Sequence, residues 1–135
     1  MSRQSFQPAD LFPSADFGFA QVVAAEGKKL VFCAGQTAWD KDNNIIGEND
    51  LGAQMAKTLE NIGIALAECG ATLDDVCRLT IYVVDYNPGM LDTIAGELHK
   101  AFKKDSLPAN TLLGIQALAL PEFLVEMEAT AVIDG

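Results

Sequence analysis

The stretch VCRLTIYVVD, residues 76–85, most narrows what this chain can become. It is rich in β-branched residues, which suit a pleated and buried surface, so it reads as a central strand with Arg78, Thr80 and Tyr82 on one face. The runs IYVVD (81–85) and LVFCAG (30–35) are apolar on both parities of an extended chain, and such strands need cover on two sides.

One side can be covered from within the chain. Met55, Leu59, Ile62, Leu66 and Cys69 recur at three- and four-residue spacings, the stripe of an amphipathic helix that Asp50 caps and Gly70 ends. Leu91, Ile94, Ala95, Leu98 and Phe102 form a second stripe behind Asn87-Pro88, an N-cap followed by a first-turn proline; Lys100, Lys103 and Lys104 suit its C-terminal end. Upstream, FAQVVAA (19–25) and LVFCAG flank the polar turn Glu26-Gly27-Lys28-Lys29, which predicts a β-hairpin. A turn follows at Asp42-Asn43-Asn44 with Gly47 beyond it, and Thr72-Leu73-Asp74-Asp75 has the form that caps a short helical turn. Strand-like runs cover about 111–117 and 123–132, joined across Ala119-Leu120-Pro121-Glu122.

The order is hairpin, helix, strand, helix, strand, strand. It predicts an α+β fold over residues 1–135 as a single domain, with residues 1–17 partly irregular and two helices packed on one face of a mostly β sheet. Two helices leave the other face open, so a second subunit is expected to bury it, and the clefts between subunits become candidate sites.

Composition limits the partners. Nine Lys plus Arg against nineteen Asp plus Glu leave a net charge of -10, which repels polyanions and argues against nucleic acid and anionic membrane surfaces. The first twenty residues carry acids and prolines and no continuous apolar run, which predicts neither a signal peptide nor a membrane span and a cytoplasmic location. Cys33, Cys69 and Cys77 are odd in number and far apart, and are read as buried free thiols in a reducing compartment. His99 is the lone histidine and falls at the solvent edge of the second helix; no zinc-ligand spacing and no dinucleotide, P-loop, zincin or nucleophile-elbow motif is present.

The chemistry-bearing pattern is in the last third. Glu126 and Glu128 are two apart, so both point to one side of a strand while Val125, Met127 and Ala129 point to the other. They are either a solvated, lysine-paired edge or a carboxylate held in a subunit cleft with its pKa raised by desolvation, able to activate water. Gly35-Gln36 either presents backbone N–H groups to a ligand or marks a bend, and Trp39 reads as an interface or packing aromatic.

VFCAGQTAWD (31–40), AQMAKTLENIGIALAECGATLDDVCRLTIYVVDYN (53–87), LPANT (107–111) and LVEMEATAV (124–132), in this order and with matching intervals, resemble the RidA/YjgF family of enamine/imine deaminases from about Phe19 to Val132. The resemblance implies a chorismate-mutase-like fold, a homotrimer around a barrel-like centre with three clefts, and hydrolysis of a 2-imino acid to a keto acid and ammonia without metal or cofactor. By matched position it implies Glu126 as the residue that positions or activates water. Phe19 stands where the family commonly has tyrosine, Gly35 in its S-G-Q segment (with Ala34 for the serine), and Asn87 after the central strand. The family's P-A-R-[S/T] is Pro108-Ala109-Asn110-Thr111 here, so the arginine that grips the substrate carboxylate is replaced by Asn110.

Three functions follow as expectations. In the first, a cleft with Glu126 as base and Asn110 and Thr111 as neutral hydrogen-bonding groups binds, and hydrolyses, a small imine-, enamine- or carbonyl-bearing metabolite. In the second, the trimer is a non-catalytic binding or interaction module. The third is ribonuclease action or inhibition of translation, which the acidic balance opposes.

Overall fold

The computed structural model describes residues 2–135. Six strands and two α-helices follow one another as β1 (Ser2–Phe6), β2 (Val22–Glu26), β3 (Lys29–Gln36), α1 (Leu51–Ala67), β4 (Val76–Val84), α2 (Leu91–Ala101), β5 (Ala109–Ile115) and β6 (Val125–Ile133), with short 3-10 turns between several of them. The main sheet runs β3-β6-β4-β5, mixed because β4 and β5 are parallel while β6 is antiparallel to both β3 and β4. The predicted central strand, β4, lies between two others.

Helix ends fall where side chains satisfy free backbone groups. Asp50 accepts a hydrogen bond from the Ala53 N–H at 3.0 Å, and Gly70, at φ 81°, turns the chain away after α1. Thr72 and Asp75 form a reciprocal capping box ahead of β4, and Asn87 accepts from the Gly89 N–H ahead of α2. Met55, Leu59, Ile62 and Leu66 of α1 and Ile94 and Leu98 of α2 are buried with Leu79, Ile81, Val83, Val125 and Met127 of the sheet. That is the predicted α+β arrangement, two helices on one face of a mixed sheet.

Several expectations change. The runs at 19–25 and 30–35 are strands but not a hairpin: β2 pairs antiparallel with β1, and β3 pairs with β6. β3 buries Val31 and Cys33 beside the core, and the Lys28 N–H already bonds to the Ile133 carbonyl at the β6 edge, so the chain crosses between sheets at the turn. β1 was invisible in SRQSF because that pentapeptide has no apolar alternation. It is held by pairing and by side chains: Arg3 donates from Nε (3.1 Å) and Nη2 (2.6 Å) to the Val76 carbonyl, and Ser5 Oγ to the Leu107 carbonyl at 2.6 Å. Of the three thiols expected to be buried, Cys33 is buried, Cys77 is half-buried and Cys69, two residues past the end of α1, is exposed. His99 is exposed as expected.

The face opposite the helices carries Leu30 and Phe32 from β3, Arg78, Thr80, Tyr82 and Val84 from β4, Thr111 and Leu113 from β5, and Glu126, Glu128, Thr130 and Val132 from β6. Phe32 is 75% exposed and Leu30 61% in the single chain. The open face is therefore mixed, apolar toward β3 and polar across β4 and β6, where the expected shared face of Arg78, Thr80 and Tyr82 and that of Glu126 and Glu128 meet.

Candidate active site

Strand alternation puts Glu126 and Glu128 on the open face, as predicted, with Val125, Met127 and Ala129 in the core. The start of β6 is anchored from the helix side. Gln54 of α1, fully buried, donates from Nε2 to the Glu122 carbonyl and accepts through Oε1 from the Leu124 N–H, both at 2.9 Å. This positioning amide escaped the sequence reading because a glutamine among apolar residues carries no periodic signal.

The Glu126 carboxylate lies over the backbone of Gly35. The β3–β6 register shifts between Cys33 and Gln36, a bulge that brings Gly35 close to β6. A Cβ on Gly35 would collide with Glu126 Oε2 and stand 2.8 Å from its Cδ, so the glycine is required for the carboxylate to occupy this place. Among the described residues Glu126 has no hydrogen-bond or ion-pair partner. Burial, and second the neighbouring Glu128 charge, raise its pKa above the ordinary carboxylate value. Glu128 is differently placed: it accepts a hydrogen bond from the Tyr82 hydroxyl.

Of the other predicted residues, Gly35 meets Glu126 and Thr111 shares its face, whereas Phe19, Asn87 and Asn110 lie elsewhere. Asn110 and Leu112 of β5 face the helices and, with Phe17, Phe19, Ile81, Leu91, Ile94 and Leu98, line a cavity of about 40 Å³ in which Asn110 is the single polar side chain. The Phe19 ring meets Phe12 edge-on with centroids 6.1 Å apart. Asn87 serves as the cap before α2. Asn110 and Thr111, adjacent in sequence, point to opposite faces, and Thr111 accepts a 2.7 Å hydrogen bond from Arg78 Nη2 on the open face. The parallel pairing of β4 with β5, which no local sequence pattern announces, puts this arginine beside the PANT stretch.

Glu126 stands opposite Tyr82 and Asn110 opposite Leu79, so the two are separated by three residues along β4 and by two strand spacings. That is roughly 14 Å between backbones, and the side chains leave on opposite faces. A small ligand touching both would need them from two different chains.

A profile of the family described as Endoribonuclease L-PSP matches residues 12–133. The chain belongs to the YjgF/RidA family. A RutC family protein of Pyrococcus abyssi is 33% identical over 102 residues, covering 76% of this chain and 77% of its own, and one of Synechocystis is 30% identical over 117 residues, covering 85% of each. Among solved structures, YyfB of Yersinia pestis, a Rid family protein of unknown function, superposes with a TM-score of 0.93 at 39% identity, covering 98% of this chain and 99% of that one. A Mycobacterium tuberculosis member of the YjgF/YER057c/UK114 family reaches 0.64 at 31% identity over 97% and 99%. In this YjgF/RidA protein no helix among the described residues is long and apolar enough to cross a membrane.

Proposed function

We propose that this YjgF/RidA protein hydrolyses a small neutral imine or enamine in a cleft completed by a second copy of the chain, with Glu126 as the base. The observation that carries this is the Glu126 carboxylate, set against a backbone that only glycine allows, without a partner among the described residues and with raised proton affinity. In the reaction, an enamine first tautomerises to the imine; water oxygen then adds to the C=N carbon as Glu126 takes a water proton and returns it to nitrogen, and the resulting amino alcohol passes its hydroxyl proton to nitrogen as the C–N bond breaks, leaving a carbonyl compound and ammonia.

Three features bear on the substrate and the assembly. Asn110 puts a neutral amide where the resemblance implies a carboxylate-gripping arginine, which suits an uncharged substrate better than a carboxylate. The separation of Asn110 from Glu126 within one chain favours a site shared between copies, and exposed Leu30 and Phe32 supply apolar surface for such contact; a homotrimer is the assembly we propose. RNA lies outside the substrate range we propose, because a net charge of -10 repels it.

The test is ammonia release from freshly generated 2-iminobutyrate and from a neutral enamine, with wild type, Glu126→Gln and Asn110→Arg. Wild-type turnover of the neutral compound that Glu126→Gln abolishes supports the proposal. Turnover of the imino acid by Asn110→Arg alone would remove deamination as the native activity. An occupied but unreactive cleft in ligand-soaked crystals would leave a binding module.

A further inference from the structure

The open face holds two carboxylates and one phenol, and the phenol serves only one of them. By strand register Tyr82 stands opposite Glu126, yet its hydroxyl donates diagonally to Glu128, two residues along β6. We propose that Tyr82 and Glu128 are positioning residues for Glu126: the phenol fixes Glu128 as a stationary negative charge beside it, leaving Glu126 unpaired as the proton acceptor. This role rests on the proposed use of Glu126 as base.

The surroundings favour this division. On the open face, β3 contributes Leu30, Phe32 and Ala34 and β5 contributes Thr111 and Leu113, so neither brings a titratable group. Among the described residues of these strands the cation on this face, Arg78, is four residues down β4 from Tyr82 and turned to Thr111. Glu128 is thus the nearest charge that Glu126 meets; burial first, and then this charge, raise the proton affinity of Glu126, which unlike Glu128 has no phenol donating to it. The same hydrogen bond holds the Tyr82 phenol above its ordinary pKa, so it remains a donor through neutral pH. When Glu126 takes a proton, the repulsion between the carboxylates is relieved, a gain present only in the protonated state.

Carboxyl-carbon NMR titration of Glu126 in the full chain reads the pair without turnover. In Glu128→Gln the Glu126 midpoint falls, and in a Tyr86→Phe background the Tyr82 phenol midpoint, followed by ultraviolet absorbance, falls as well. Tyr82→Phe, which keeps both carboxyls, turns the single Glu126 step into a biphasic one, because the two groups then share the proton. In the ammonia-release assay, the acid limb of the Glu128→Gln profile moves down with the NMR midpoint. An unmoved Glu126 midpoint in Glu128→Gln, or kcat lowered equally at every pH with the limb in place, overturns the proposal. If the midpoints move while neither imine nor enamine is turned over by wild type, the tuning stands and the hydrolase function falls.

Discussion

Glu126 and Asn110 both lie on strands of one sheet, yet they belong to regions built on different principles. Around Glu126 the chain leaves a gap: a bulge and a side-chain-free Gly35 admit a carboxylate, and the polar groups nearby are Glu128, Tyr82 and solvent. Around Asn110 the chain fills space, with two phenylalanines, Leu91, Ile94 and Leu98 closing on one amide. The first region depends on backbone approach and electrostatics, and the second on packing. Substitutions should therefore damage them in different currencies, function in one and stability in the other.

The largest effect is expected from Gly35→Ala. The added methyl meets the movable end of Glu126, so the fold survives while the carboxylate is pushed aside, and turnover falls about 100-fold or more, the scale of a lost general base. Unchanged turnover with a displaced Glu126 in the crystal would break the comparison. Next, Leu98→Ala opens the packed region: Leu98 is 1% exposed, and its truncation should cost about 2–5 kcal/mol of stability in denaturant unfolding. Asn110→Arg follows: a longer, charged side chain in a cavity of about 40 Å³ should cost about 1–3 kcal/mol of stability in denaturant unfolding, and unchanged stability with a gain in affinity for a carboxylate-bearing ligand would place the guanidinium outside the packed region.

The smallest effect is a pH dependence. Glu126 is raised in the folded state by burial and then by Glu128, so its contribution to stability is full below the unfolded carboxyl pKa and lost as pH rises through the folded one. Wild type should lose stability relative to Glu126→Gln across that acidic window and run parallel to it above, as thermal unfolding at stepped pH will show. The opposite slope would mean the carboxylate has a partner in the assembly.

Much of this was legible in the chain. The helix stripes, Asp50, Gly70, the Thr72–Asp75 box and the Asn87-Pro88 start are local, since each joins residues within a turn or two, and they appear where the pattern put them. The shared face of Glu126 and Glu128 was equally readable from strand period. Partner choice was not: β1 and β2 pair with each other and β3 with β6, against the expected hairpin, and Arg3, within the segment expected to be partly irregular, binds the Val76 carbonyl.

Periodicity and capping, short-range physics written in neighbouring residues, were enough for both helices and for the strands other than β1 with their amphipathic faces, and four motifs in order were enough for the family resemblance. Only the tertiary structure decided that Gly35 meets Glu126, that Tyr82 bonds Glu128 in place of its register partner, and that Asn110 and Thr111 part to opposite faces with Arg78 on Thr111. These contacts depend on which strands lie side by side, and that choice comes from burying the helices and sheet together, a sum over the whole chain.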